Sequence, residues 1–285
     1  MIPAAFDYVR AGSAEEAISL LGEHGDEAKF LAGGHSLLPL MKLRLAQPSV
    51  LIDIGRLSDL SYIRDAGDHI AIGALTRHRD VETSDVLGEH VPLLQHAASH
   101  VGDPQVRHRG TIGGSIAHGD PASDMLAVLL AAEGSLVILG SAGERVVAAA
   151  DFFVDYLTTA VADGEVLTEV RLPALDGYGF GYQKFNRRRE DWAMVAVSAL
   201  VKKAGDGTCE DVRIGLTHMG STPLRAGASE AALRGQRLDA DSIDRAAEQA
   251  AEGTSPPGDL NATPDYKRHL ARVLTRRGLM EAAGL

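Results

Sequence analysis

The sequence predicts an α+β protein in three parts, and three observations carry that prediction. From residue 13 to residue 55 helix and strand signals alternate. The stretch 173–179, with one proline and two glycines, reads as the best linker in the chain. Beyond it three strand candidates come in succession and three helical segments follow, the order of an α+β domain with a three-stranded antiparallel sheet rather than of a doubly wound sheet.

The elements can be justified in order. Ser13-Ala14-Glu15-Glu16 is a capping box, with Ser13 as N-cap and Glu16 reaching back to its amide; Ala17, Ile18, Leu20 and Leu21 give the apolar stripe, and Gly25 ends the helix. Residues 29–32 read as a strand running into Gly33-Gly34. Ser36 then caps a short helix through Leu45, in which Pro39 is tolerated because a first-turn amide has no helical partner. A buried strand at 50–54 closes at Gly55, and a second part begins near Arg56. It holds a strand at 69–73 and a helix at 91–101 entered through Pro92. The segment 102–123, dense in Gly, Pro, Asp, His and Arg, reads as a loop. Asp120-Pro121 supplies the N-cap and first position of a helix through Ala132, whose apolar run from Met125 reads as core. Strands at 136–139, 146–148 and 166–172 complete this part. The last part offers strands at 181–185, 193–201 and 212–217, then helices at 229–234, 242–252 and 265–283. The expected division is 1–55, 56–175 and 176–285, with no period of roughly 20–50 residues that would indicate a solenoid.

Composition narrows the function. The chain has 285 residues, 45% hydrophobic and 24% charged, enough for several compact cores. Thirty-nine acidic against 28 basic residues give a formal charge of −11, a field that repels DNA, RNA and anionic lipid, so no nucleic-acid partner is expected. The longest apolar run stops at Glu133, far short of the roughly 20 residues of a membrane crossing, and no signal peptide can be read, which makes the cytoplasm the expected compartment. The single cysteine, Cys209, forms no internal disulfide and cannot by itself hold zinc or an iron–sulfur cluster. It reads as an unreactive thiol on a strand rim, and any redox centre on this chain must be organic.

Two Gly-Gly segments could carry chemistry: Ala32-Gly33-Gly34-His35-Ser36, between a strand and a helix, and Gly110-Thr111-Ile112-Gly113-Gly114-Ser115. Consecutive glycines let the backbone approach closely and aim several amides at one anion, a cradle suited to a diphosphate, helped by the following helix N-terminus and the Ser36 hydroxyl. The alternative is two ordinary turns in a chain with 31 glycines. No G-x-G-x-x-G or Walker pattern occurs, so a nucleotide would need another fold. His96 and His100 share a helical face without the glutamate of an H-E-x-x-H motif, and no G-x-S-x-G elbow exists, so neither a zinc hydrolase nor a serine hydrolase is indicated.

These segments together resemble a known family. Ala32-Gly33-Gly34-His35-Ser36-Leu37-Leu38-Pro39 with Met41-Lys42-Leu43-Arg44, then Asp103-Pro104-Gln105-Val106-Arg107 leading into the second glycine segment, Ala117-His118-Gly119-Asp120-Pro121 and Ser123-Asp124, are similar to the FAD-binding medium subunit of carbon monoxide dehydrogenase-like molybdenum hydroxylases, the xanthine dehydrogenase family. The resemblance runs from about Phe6 to the C-terminal helices. It implies a non-Rossmann, PCMH-type FAD-binding domain in two parts, followed by a C-terminal domain of the CO dehydrogenase flavoprotein type. It implies that Lys29, Leu31, Ala32, Gly33, Gly34, His35 and Ser36 wrap one side of FAD and give amides to its diphosphate. Gly110, Thr111, Gly113, Gly114, Ser115, Ala117 and His118 face the other side. Ser123 and Asp124 match cofactor contacts, with Asp124 suited to accept hydrogen bonds from ribose or ribityl hydroxyls. Val166 and Leu167 match an edge strand, Lys184 matches a lysine near the isoalloxazine whose charge would favour the anionic reduced form, and Tyr182 and Val101 are candidates to cover the flavin faces.

The resemblance also implies division of labour. A molybdenum cofactor on a large partner subunit would oxidise the substrate, and [2Fe-2S] clusters on a small partner subunit would pass electrons to FAD here, in a dimer of heterotrimers. The acceptor would be a quinone, a carrier protein, NAD or oxygen, and the complex cytoplasmic, peripheral to the inner face of the membrane. Ser115 stands where carbon monoxide dehydrogenases often have Asp, which leaves the substrate open. Arg187-Arg188-Arg189-Glu190-Asp191 reads either as a solvated loop or as part of an acceptor site. A stand-alone flavin reductase and a flavin-less scaffold are the alternatives, separated by flavin colour and by co-purifying chains.

Overall fold

The computed structural model describes residues 2–285 and shows the mixed helix-and-sheet architecture expected. The first sheet is parallel throughout. Strand β1 (Asp7–Arg10) leads through helix α1 (Ala14–His24) to β2 (Ala28–Leu31), then through α2 (Leu37–Lys42) to β3 (Val50–Asp53), in the order β1-β3-β2. Parallel neighbours need a crossover, which α2 provides between β2 and β3, while α1 carries the chain from β1 to β2 on the far side of β3. The Ser13 hydroxyl accepts from the Glu16 amide at 3.1 Å as the capping box requires, whereas the Glu16 carboxylate reaches past Ser13 to the Gly12 amide at 2.6 Å. Helix α2 stops at Lys42 rather than Leu45. Arg44 enters the left-handed region (φ 60°), and Leu43 and Leu45 are left exposed.

The second sheet is antiparallel, built from β4 (Ile63–Asp65), β5 (Ile70–Gly73), β6 (Ser135–Gly140), β7 (Gly143–Ala148) and the later strand β10 (Val166–Leu172), ordered β4-β5-β10-β6-β7. Between β5 and β6 run α3 (His78–Glu82), α4 (Asp85–His90), α5 (Pro92–Ala98), α6 (Pro104–Arg107), α7 (Ile112–His118) and α8 (Asp124–Ala131). The short α9 (Ala149–Phe152) and a hairpin of β8 (Phe153–Asp155) and β9 (Thr158–Thr159) lie between β7 and β10.

The loop expected at 102–123 is overturned, since it contains α6 and α7. The Asp103 carboxylate caps α6 by accepting from the Val106 amide at 2.9 Å. The Thr111 hydroxyl caps α7 by accepting from the Gly114 amide at 3.1 Å, and Gly119 ends it at φ 66°. Glycines 113 and 114 conceal this helix because glycine has low helix propensity, and tertiary contact is what calls for it at 113: a Cβ there would meet the backbone and side chain of Ala74. Helix α8 starts at Asp124, not Asp120, whose side chain instead accepts from the Ala122 amide at 2.9 Å in a turn.

The third sheet comprises β11 (Tyr178–Phe185), β12 (Val195–Lys203), β13 (Cys209–Thr217) and β14 (Leu224–Arg225), followed by α10 (Gly227–Leu233), α11 (Ala240–Glu248) and α12 (Pro264–Ala283). It has four strands rather than three, because β14 is two residues long and shows no alternation to read. Gly179, expected in the linker, lies inside β11 where the Ala282 carbonyl of α12 approaches it. Strand alternation places this sheet between two cores. Ala196 and Leu200 join the core around α8, while Val195, Val197, Ala199 and Val201 join the one beneath α12. All eight residues of α8 are buried, and the missing side chain of Gly215 lets its Ala127 carbonyl sit close against β13. Covered by the second sheet's core on one side and by β12 and β13 on the other, α8 reads as apolar all round. No helix among the described residues is long and apolar enough to cross a membrane.

Candidate functional site

A cleft of about 890 Å³ opens between the loop after β2, the start of α7, the β8–β9 hairpin, the start of β10 and the end of β11. Pockets for small ligands and cofactors span roughly 300–1,000 Å³, and this one has room for a dinucleotide-sized molecule. The first glycine segment reaches it through Lys29, Ala32, Gly33, Gly34, His35 and Ser36, and the second through Gly110, Thr111, Gly113, Gly114, Ser115, Ala117 and His118. Val101, Ser123, Asp124, Val166, Leu167 and Lys184 also line it. Two sequence candidates do not: Leu31 belongs to β2, and Tyr182 is buried behind the wall, 3% exposed, against His96 and His100.

The two glycine segments differ in what their amides do. In the first, the amides of Gly33, Gly34, His35, Ser36 and Leu37 meet no acceptor among the described residues, while Gly34 sits at φ 77°. Unpaired amides in sequence beside a positive-φ glycine form an anion-binding concavity. Gly33 is required for a different reason. Its α-carbon packs so closely on the carbonyl of Arg109 that a Cβ would overlap that oxygen, with Gly110 Cα at 2.9 Å. In the second segment most amides are taken up within the protein: Ile112 donates to the Thr76 carbonyl at 3.0 Å, Gly113 to Ala74 at 2.8 Å and Gly114 to the Thr111 hydroxyl, while the Thr111 amide meets no acceptor among the described residues. Most of the amides without an acceptor therefore lie in the first segment, with Thr111 the one in the second. Ser36 makes no capping bond, and in the second segment the Ser115 hydroxyl is hydrogen-bonded to that of Ser123 at 2.7 Å.

A buried ion pair stands in the cleft wall. Lys184 Nζ donates to Asp124 Oδ2 and to the His100 carbonyl, each at 2.9 Å, and Tyr182 donates its hydroxyl to Asp124 Oδ1 at 2.8 Å. Both charged side chains are almost fully covered, 3% and 9% exposed. Burial raises the Asp124 carboxyl above the ordinary carboxylate range, and the ammonium and the phenol pull it back. Burial, with Asp124 next, holds the Tyr182 hydroxyl protonated.

Comparison with known proteins decides the family. Residues 4–175 match the model described as FAD binding domain in molybdopterin dehydrogenase, and residues 180–282 match the CO dehydrogenase flavoprotein C-terminal domain. The chain belongs to this flavoprotein family. It is 42% identical over 283 residues to the carbon monoxide dehydrogenase medium chain of Hydrogenophaga pseudoflava, covering 99% of this chain and 98% of that one. It is 38% identical to the glyceraldehyde dehydrogenase medium chain of Sulfolobus acidocaldarius, covering 99% of this chain and 100% of that one. A solved structure of the Hydrogenophaga pseudoflava carbon monoxide dehydrogenase superposes with a TM-score of 0.97 at 44% identity, covering 100% of this chain and 99% of the matched one. As a member of this family the chain is an FAD-binding subunit of an oxidoreductase.

Several residues of this flavoprotein's cleft escape sequence reasoning. The β8–β9 hairpin brings in Leu157, Thr158 and Thr159, with Leu157 at φ 54° in the turn. Trp192, the chain's one tryptophan, borders the cleft beside Glu190 and Asp191, while Arg187, Arg188 and Arg189 face solvent and Arg187 pairs with Asp191 at 3.7 Å. His78 also lines the cleft although 3% exposed, and its Nδ1 has no partner. Burial, then His35 and Arg107, pushes its pKa down to about 4, so the ring is neutral. Nothing in the pattern around residue 78 signals this, because contact with Gly110 supplies the burial. His96 and His100, by contrast, pack with Nε2 atoms 3.3 Å apart against Tyr182 and Phe180. Cys209 is buried, and burial with Asp211 pushes its thiol up to about 11.

Proposed function

We propose that the cleft holds FAD, with its diphosphate on the amides of residues 33–37. The observation that carries this reading is that run of partnerless amides facing a cleft of dinucleotide size. The donor set fits the group: an anion satisfies amides that are otherwise orphaned, in a chain whose net charge of −11 would not attract one at long range. Lys29, Ala32, His35 and Ser36 flank it on one side. Gly110, Thr111, Gly113, Gly114, Ser115, Ala117 and His118 form the opposing wall, where the Thr111 amide and the hydroxyls of Ser115 and Ser123 are the polar groups. Val101, Val166 and Leu167 give apolar surface, and Asp124 pairs with Lys184 in the wall.

FAD supplies electron storage that can be filled singly and emptied in pairs. This chain's residues contribute binding, orientation and a fixed positive charge at Lys184 Nζ. In the complex, [2Fe-2S] clusters on a small partner subunit would supply the electrons, substrate oxidation would take place at a molybdenum cofactor on a large partner subunit, and an external acceptor would receive the electrons from FAD. The complex is a cytoplasmic dimer of heterotrimers. The parts 1–55, 56–175 and 176–285 each centre on one sheet, and the core of the first draws in Leu57, Leu60, Leu75 and Val166 from the second, which supports treating these two as one FAD-binding unit. Relatives of nearly equal similarity are named for carbon monoxide and for glyceraldehyde, which supports substrate choice on the large partner subunit.

The test is colour. Purified chain should absorb near about 450 nm and release FAD rather than FMN on denaturation. Colourless protein that takes up no added FAD refutes the reading. Purification from the native source should bring down one larger chain and one small cysteine-rich chain.

A further inference from the structure

We propose that Arg77 is a positioning residue for the diphosphate end of the cleft, joining the two glycine segments through their backbone carbonyls and adding an unneutralised positive charge behind the free amides. The inference rests on the FAD reading above and extends it to a residue outside the cleft wall.

The geometry starts from the backbone. Arg77 precedes α3 and forms an isolated antiparallel bridge with Thr111, so the His78 amide donates to the Gly110 carbonyl at 3.0 Å and the Ile112 amide to the Thr76 carbonyl at 3.0 Å. The second glycine segment is thereby fixed to the strand–helix junction that carries Arg77. The guanidinium then turns back. Its Nη1 donates to the Arg109 carbonyl and its Nη2 to the Gly55 carbonyl at 3.4 Å. Arg109 presents the carbonyl on which Gly33 rests, and Gly55 is the residue on which the Ala32 carbonyl rests, 3.0 Å from where a Cβ would stand. One planar fork therefore holds both surfaces against which the amide run from Gly33 to Leu37 is set. A lysine has one donor head and cannot span two carbonyls in this fixed manner.

The charge is the second part. Arg77 is half-buried and makes no ion pair among the described residues, whereas neighbouring Arg79 and Arg107 both bind Glu82. Asp53 and Asp80 lie near enough to be felt, but Asp53 is held by the Tyr8 hydroxyl and the Gly55 amide, and Arg109 opposes them with like charge. A half-buried cation bound only to carbonyls is costly without a counter-charge, and a bound diphosphate provides one.

The experiment uses the full chain stripped of flavin, with FAD and ADP as probes. Arg77→Met keeps the volume and removes the charge and the fork, while Arg77→Lys keeps the charge alone. Binding is followed by calorimetry at several salt concentrations, with circular dichroism and thermal melting as checks on folding. Arg77→Met should weaken both FAD and ADP by about ten- to a hundredfold and flatten the salt dependence of binding, while Arg77→Lys should keep the wild-type salt slope at intermediate affinity. Wild-type affinity in Arg77→Met overturns the proposal. So does equal loss in both variants with an unchanged salt slope, which marks a purely structural residue. If Arg77→Met does not fold, Arg77→Lys still decides, since a salt slope flatter than wild type removes the role of charge. Failure of the wild-type chain to bind FAD at all would strike the FAD reading itself and is seen separately.

Discussion

Gly33→Ala tests the cradle with the smallest available change, one methyl group. Gly33 does not occupy a positive-φ conformation, so alanine brings no backbone strain, and the whole effect is steric. The added carbon overlaps the Arg109 carbonyl oxygen and lies 2.9 Å from Gly110 Cα. Those backbone atoms do not yield easily. The Gly110 amide is bonded to the Val106 carbonyl at 2.7 Å, the Gly110 carbonyl receives the His78 amide, and the Arg109 carbonyl receives Arg77. The loop after β2 must therefore retreat, by about 1 Å to restore ordinary van der Waals separation. A hydrogen bond of about 2.9 Å stretched by that amount is no longer a bond. Losing two amide bonds to a charged group, at about 1.5 kcal/mol each, gives roughly 3 kcal/mol, or about a hundredfold in Kd. The assay is titration of flavin-free chain with FAD followed by flavin fluorescence, with Gly205→Ala as control because nothing lies within 4 Å of a Cβ there. The flavin-free melting temperature should fall only slightly, and the rise produced by saturating FAD should shrink. A Gly33→Ala chain that binds FAD within threefold of wild type would show that the amide run does not hold the diphosphate.

Three further outcomes follow from the same structure. Asp124→Asn removes the carboxylate paired with Lys184, which is 3% exposed and is then bonded only to the His100 carbonyl and a neutral amide; the cost of a broken buried pair, about 3–5 kcal/mol, should lower the melting temperature by roughly 10 °C, and an unchanged melt would mean the pair is solvated. Thr111→Val removes the cap of α7 and should cost about 1 kcal/mol in urea denaturation with weaker FAD binding, whereas an unaltered midpoint would remove Thr111 from that role. His78, whose pKa falls from the ordinary 6.5 to about 4, stays neutral in the fold while the unfolded chain takes up a proton, so its contribution is whole above pH 6.5 and is lost as pH falls toward 4. By pH 5 the loss should be about 2 kcal/mol, and stability measured between pH 7 and 5 should fall less steeply in His78→Phe; equal slopes would contradict the neutral assignment.

Local rules made most of the fold legible, and they failed where a distant contact set the local conformation. Ser13, Gly25 and the period of β12 can be read because cap, stop and alternation are properties of a few neighbouring residues. Helix α7 cannot, since its glycines lower helix propensity and the reason for them, Ala74 against Gly113, lies some forty residues away along the chain. The continuous apolar run of α8 is legible as core, but not that the third sheet covers one side of it and α5 the other, because a buried helix looks the same whichever elements cover it.

The site divides along the same line. The glycine segments can be found in sequence because glycine is the one residue whose presence reports a missing side chain, yet their spacing gives them one role where the structure gives two. In the first segment Gly33 packs on the Arg109 carbonyl and the amides that follow stay without a partner, and in the second Gly113 packs on Ala74 while the amides other than that of Thr111 are paired within the protein. Trp192 and Leu157 carry no such mark, being exposed apolar residues of a kind common on any surface. Asp124 and Lys184 are separated by sixty positions, and only the register of β11 beside α8 turns a carboxylate and an amine into a buried pair. What converts a glycine pattern into a cofactor site is therefore the set of long-range carbonyl contacts behind it, from Arg109, Gly55 and Ala74, which decide which amides are left without a partner. On the proposed reading, diphosphate binding lies in donors that the rest of the protein leaves unpaired, and that is a property of the fold rather than of any motif.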